Sequence, residues 1–142
     1  MLNWNNLDTL ASYQELEKAE RINLAEVMSG ENGAERVKTY STPIVEGLTF
    51  NYAAKAVDDN VLAILDKLAK EAQLVEKYES LYNGAVINTG EKRLVLHQLT
   101  RGQLGDTVTA DGVDKRTFYK QQQERIAEFA NKVHNGDITN AA

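Results

Sequence analysis

The sequence predicts a mostly α-helical fold that carries one small antiparallel β-hairpin. Apolar residues recur at helical spacing through most of the chain, alternation marks one short stretch, and single glycines punctuate the segments. The chain has 142 residues, with one proline, nine glycines and no cysteine. That length suits a single domain, 1–142, with one buried core.

Leu7, Leu10, Tyr13 and Leu16 are spaced helically through an acidic stretch, and Leu24 and Val27 continue an apolar face until Gly30 interrupts it. One or two amphipathic helices are expected there. From Arg36 the pattern changes. Alternation places Leu48, Phe50 and Tyr52 on one side of a strand, so a hairpin is expected over about 36–53, with Pro43 to Gly47 as its connection. Such a hairpin is marginal alone and must pack on something else.

Asp58 or Asp59 caps the next helix, about 58–72, in which Val61, Ile64, Leu65, Leu68 and Ala72 share a face. A further helix, about 74–82, stops at Asn83-Gly84, a left-handed terminator. The apolar run after Glu91 is read as a helix over 91–101, although its periodicity also admits a strand. Residues 102–113 read as a loop. Phe118, Ile126, Phe129, Ala130 and Val133 mark a long helix, about 114–134, ended by Asn135-Gly136.

Composition excludes several functions. Without cysteine there is no disulfide scaffold, thiolate catalysis or thiolate zinc site. No apolar run is long enough to span a bilayer, and the first residues lack a signal peptide's basic and apolar parts, so a soluble, cytoplasmic protein is expected. The net charge is −5. Residues 1–35 hold seven acids against Lys18 and Arg21, so they carry the whole imbalance, read as a solvated face. No basic face suits a nucleic acid.

Phosphate-cradling glycine loops and a nucleophile elbow are missing, and His97 and His134 stand alone, so neither cofactor nor metal is expected. Asp58-Asp59 is better explained as a cap than as an acid/base pair. One constellation remains. In a helix over 91–101, Arg93, His97 and Arg101 would form one polar stripe among Leu94, Val95, Leu96 and Leu99. Buried cations need partners, and the favoured partners are carboxylates or carbonyls elsewhere in the fold. The alternative is an anionic ligand, such as a phosphate, or a subunit contact.

The run from Ile87 to Arg101 resembles a signature of the glucose-6-phosphate isomerase family, approximately INxTExRAVLHxALR. Asn88, Thr89, Glu91, Arg93, Val95, Leu96, His97 and Arg101 stand in matching order, with Gly90 as an extra residue. Ala34 to Ser41, Leu48 to Lys55, Val61 to Lys70 and Phe129 to Gly136 are similar to further segments of that family, so the likeness spans about 20–137. Asn51 stands where the family has aspartate, Ala54 where it has serine, and Leu99-Thr100 where it has alanine-leucine.

The resemblance implies the amino-terminal helical part of an α/β sugar-isomerase (SIS-type) enzyme, which interconverts glucose 6-phosphate and fructose 6-phosphate through a cis-enediol, in glycolysis and gluconeogenesis. It implies a homodimer without cofactor. Carboxy-terminal parallel-sheet domains would hold the sugar phosphate and supply the glutamate base, ring-opening histidine, arginine and lysine. None of those motifs occurs in 1–142, which stops near where the first sheet strand is expected. No catalytic residue carries over. Arg93 and His97 are nominated as supports near a site, paired with a carboxylate of the sheet domains. The piece alone is expected to be inactive, with apolar surface exposed around its hairpin and the 91–101 segment. The competing expectation is a free-standing acidic helical interaction module without enzymatic activity.

Overall fold

In the computed structural model, which describes residues 2–88 and 90–140, the chain forms two units, residues 1–74 and 75–142. The sequence had suggested one domain over 1–142. Each unit buries its own apolar residues: Leu10, Ala53, Val61, Ile64 and Ala72 in the first, and Leu96, Leu99 and Val108 in the second. The backbone turns at Gln73, just before the boundary, where φ is +53°.

The first unit opens with a 3-10 turn, Leu7–Thr9, and α1, Ala11–Lys18. Two short helices follow, α2 (Leu24–Val27) and α3 (Gly30–Thr39). Gly30 begins α3 at φ +61° and so marks a junction between these helices. The hairpin consists of β1, Ser41–Val45, and β2, Leu48–Asn51. Residues 36–39, expected to open the hairpin, are instead the last turn of α3.

Pro43 also differs from expectation. It lies within β1 opposite Thr49, and the connection shrinks to Glu46-Gly47, with Gly47 at φ +77°. A two-stranded sheet has outer edges without ladder partners, which is where proline is tolerated. α4, Asp59–Glu71, packs against α1, and the Asp58 side chain caps it by accepting the Val61 N–H at 2.8 Å.

α5, Leu74–Tyr82, leads into the second unit and ends at Asn83-Gly84, where Gly84 takes φ +77°. The helix expected over 91–101 does not form. Val86–Asn88 (β3) pairs antiparallel with Arg93–Leu94 (β4), and His97–Thr100 makes a single 3-10 turn. Leu96 and Leu99 are three residues apart, a spacing that a 3-10 turn brings onto one side. Both are buried with Val108, against Leu94 and Tyr119. The apolar run thus satisfies a core through a strand and a turn, and periodicity could not separate these from a helix.

The expected loop over 102–113 contains a second tight hairpin, β5 (Thr109–Ala110) and β6 (Val113–Asp114). Asp111 and Gly112 connect them with φ +54° and +73°, both positive as a type I′ turn requires. α6, Lys115–His134, starts at Asp114, whose side chain accepts the Thr117 N–H at 2.9 Å. Exposed apolar side chains lie on the first hairpin (Ile44, Val45, Leu48, Phe50) and along α6 (Ile126, Phe129, Val133). Beside the 91–101 segment, Val86, which pairs with Leu94, and Leu104 are exposed as well, while Leu96 and Leu99 within it supply the second unit's core. No helix among the described residues is long and apolar enough to cross a membrane.

Candidate functional site

The polar residues nominated from sequence all lie in the second unit, but not as one stripe. The β3–β4 connection is organised by Asn88, whose Oδ1 accepts the Glu91 N–H at 3.1 Å and whose Nδ2 donates to Glu91 Oε2 at 3.3 Å. Glu91 in turn faces Arg93 Nη1 at 3.7 Å. Arg93 is therefore an exposed side chain at a hairpin tip, paired with its own neighbour.

His97 opens the 3-10 turn with an exposed side chain, and its carbonyl accepts the Thr100 hydroxyl at 2.8 Å. Arg101 follows the turn and is also exposed. The predicted burial of these cations fails for the same reason as the predicted helix: strand and turn direct the leucines inward and leave the polar side chains outside. Thr89, also in the signature, lies outside the described residues, as do Met1, Ala141 and Ala142.

What fixes the turn comes from α6. Arg116 Nη1 donates to the Leu99 carbonyl at 2.5 Å, and Gln123 Nε2 donates to the Thr100 carbonyl at 3.0 Å. The two donors are seven residues apart, two helical turns, and so lie on one face of α6. Sequence reading passed over both. Their spacing is a signal, but it says nothing about which carbonyls they meet.

In the first unit, the sequence reading also missed Arg36. The residue is only 8% exposed. Nε donates to the Ala53 carbonyl at 2.8 Å, and Nη2 to those of Lys55 and Val57 at 3.0 and 2.6 Å. The guanidinium also lies 4.1 Å from the centre of the Tyr40 ring. Burial, together with a hydrogen bond to Asp59 Oδ1 at 3.0 Å, pushes the Tyr40 phenol above its usual range, against the lowering effect of Arg36.

At the other end of α4, Glu71 caps α1. Its carboxylate accepts the N–H groups of Ala11 and Ser12 at 3.1 and 2.9 Å, together with the Ser12 hydroxyl. The Ser12 bonds hold the Glu71 carboxyl below its ordinary range.

An apolar groove of about 320 Å³ runs between the first hairpin and α4, lined by Thr42, Phe50, Tyr52, Val57, Leu62 and Leu65 among others. Lys55 also lines it, the one charged side chain on walls that otherwise suit hydrocarbon. Among the described residues there is no group of three or more metal-ligating side chains. The arrangement can brace a backbone and present Arg93 and His97 at a surface.

Known proteins place these features in context. The family described as phosphoglucose isomerase matches residues 51–142. A protein named glucose-6-phosphate isomerase from Treponema denticola is 48% identical over 96% of this chain, and a namesake from Borreliella afzelii is 38% identical over 99%. The chain spans 27% and 26% of those relatives. The crystal structure of a glucose-6-phosphate isomerase from Chlamydia trachomatis superposes with a TM-score of 0.68 at 30% identity, over 88% of this chain and 25% of the other.

Proposed function

The chain belongs to the phosphoglucose isomerase family, and on that premise we propose that it is the amino-terminal quarter of an enzyme interconverting glucose 6-phosphate and fructose 6-phosphate. The observation that carries this reading is the 48% identity over nearly the whole chain to a relative of that name. Ring opening followed by proton movement between C1 and C2 needs a positioned base and stabilisation of the developing enediolate. In this proposal those groups belong to sheet domains beyond this chain, which also hold the sugar phosphate. The complete enzyme works in the cytoplasm as a homodimer and needs no cofactor.

The part played by this chain is structural support. Arg93 and His97 are positioning residues: exposed here, they meet carboxylates or carbonyls of the sheet domains and steady the wall of the site. Arg101 belongs to the same surface.

Two measurements test the proposal. Purified 1–142, assayed with fructose 6-phosphate and a coupled dehydrogenase, is expected to show no turnover above background. The coding sequence beyond Ala142 is expected to continue into a strand and a glycine-rich serine loop. Turnover by the isolated chain would overturn the assignment of chemistry to the sheet domains. A stop codon directly after Ala142 would favour a free-standing interaction module with an acidic face.

A further inference from the structure

Three Asn-Gly pairs occur in the chain, at 32–33, 83–84 and 135–136, and the fold treats them differently. This dipeptide is the one most prone to intramolecular imide formation, because glycine has no side chain to obstruct attack by its own amide nitrogen. We propose that Asn135 is a spontaneous deamidation site, while the fold closes the same reaction at Asn32 and Asn83.

The reaction needs the backbone nitrogen of the glycine to reach the asparagine Cγ, which requires rotation of the intervening backbone. Asn135 sits at the C-cap of α6 with φ −81° and ψ −6°, and its side chain is exposed. Gly136 takes φ +81°, and a Cβ placed on it would meet nothing within 4 Å. The Gly136 N–H is held only by a 3.2 Å bond to the Val133 carbonyl, in a terminal turn of the kind that frays first.

The other two pairs lack that freedom. Asn32 and Gly33 lie inside α3, and a Cβ on Gly33 would come within 2.2 Å of the Met28 carbonyl oxygen. The pair lies in the first turn of α3, where the Gly33 N–H reaches the Ser29 carbonyl at 3.4 Å; the close packing of buried Gly33 on the Met28 carbonyl, rather than that bond, opposes rotation there. Asn83 Oδ1 accepts the Asp106 N–H at 2.9 Å, which fixes the side chain. Gly84 lies beneath Val108, where a Cβ would approach Cγ1 to 2.5 Å, and Val108 belongs to the second unit's core. Opening that pair therefore requires opening the core.

At Asn135 the Gly136 nitrogen attacks Cγ, and the new C–N bond closes a five-membered succinimide. The proton from the Gly136 N–H passes by way of solvent to the departing amide nitrogen, which leaves as ammonia. Water then adds to one of the two imide carbonyls and opens the ring, giving aspartate or isoaspartate. Either product sets a carboxylate at the negative end of the α6 dipole. Isoaspartate also lengthens the backbone within the turn where the Asp137 and Ile138 N–H groups bond to the Lys132 carbonyl.

The test is incubation of the whole chain in warm, mildly alkaline buffer, with and without urea, followed by peptide mass mapping. Folded protein is expected to convert Asn135 at least roughly tenfold faster than Asn32 or Asn83, the ratio that a modest difference in local opening produces. In urea all three are expected to convert at comparable rates, and Asn135→Gln is expected to remove only the Asn135 signal. Equal conversion at all three positions in the folded protein would overturn the proposal. So would an Asn135 that stays intact until urea is added.

Discussion

Replacing Arg36 is expected to unfold much of the first unit's loop structure, because a single guanidinium satisfies three carbonyls of the 53–57 segment. A hydrogen bond from a charged donor contributes about 1.5–3 kcal/mol, while a buried acceptor left without a partner costs about 1–3 kcal/mol. The three bonds share one donor group and are not additive. Arg36→Met keeps the length and apolar stem but donates nothing, so a loss of about 3–5 kcal/mol is expected. That is a large part of the roughly 5–15 kcal/mol available to an ordinary domain.

Arg36→Lys separates geometry from charge. An ammonium at the end of a flexible stem cannot reproduce the planar fork that spans Ala53 and Val57, so about half of the loss is expected to remain. The assay is urea unfolding followed by Trp4 fluorescence, since Trp4 is the only tryptophan and lies in the first unit, with helical circular dichroism alongside. A lysine variant as stable as the original would refute the argument from the fork. A methionine variant that lost less than about 1 kcal/mol would mean that the carbonyls find other partners.

Two further outcomes follow from the same unit. The Glu71 carboxyl is held low by Ser12 and Ala11, so its stabilising effect is fully present above its unfolded value and is lost as pH falls through the lower folded value. Acid titration is therefore expected to loosen α1 first, seen as accelerated exchange of the Ala11 and Ser12 amides, and Glu71→Gln is expected to flatten that pH dependence. Asn51 Nδ2 donates to the Val37 carbonyl at 2.6 Å, while its Oδ1 accepts the Ala53 N–H at 3.1 Å. A carboxylate cannot donate, so Asn51→Asp, the residue usual in the family, is expected to cost about 1 kcal/mol in thermal unfolding. An unchanged melting temperature would remove that account of the substitution.

Local signals in the sequence were read correctly where a residue acts on its own neighbours. Asp58 caps α4 from three residues away, and Asn83-Gly84 and Asn135-Gly136 stop α5 and α6 because glycine takes a positive φ without steric cost. The Asp111-Gly112 turn carries the same kind of signal, but the strands it joins are only two residues long, too short for alternation to mark them within 102–113. The family signature likewise stood in the order of side chains, independent of how the segment folds.

The sequence by itself determined the helical character of the chain, its main breaks, the confinement of net charge to the first 35 residues, and the family resemblance. Tertiary structure alone decided the rest. The spacing of Leu94, Leu96 and Leu99 suits a helix, a strand or a turn alike, and in the fold they take strand and turn, packed with Val108 and Tyr119. Arg36 meets acceptors 17–21 residues away, Glu71 donors about 60 away, and Arg116 an acceptor 17 away. Nothing in the order of residues names such partners, because a hydrogen bond over that separation exists only after the chain has closed the loop between its ends.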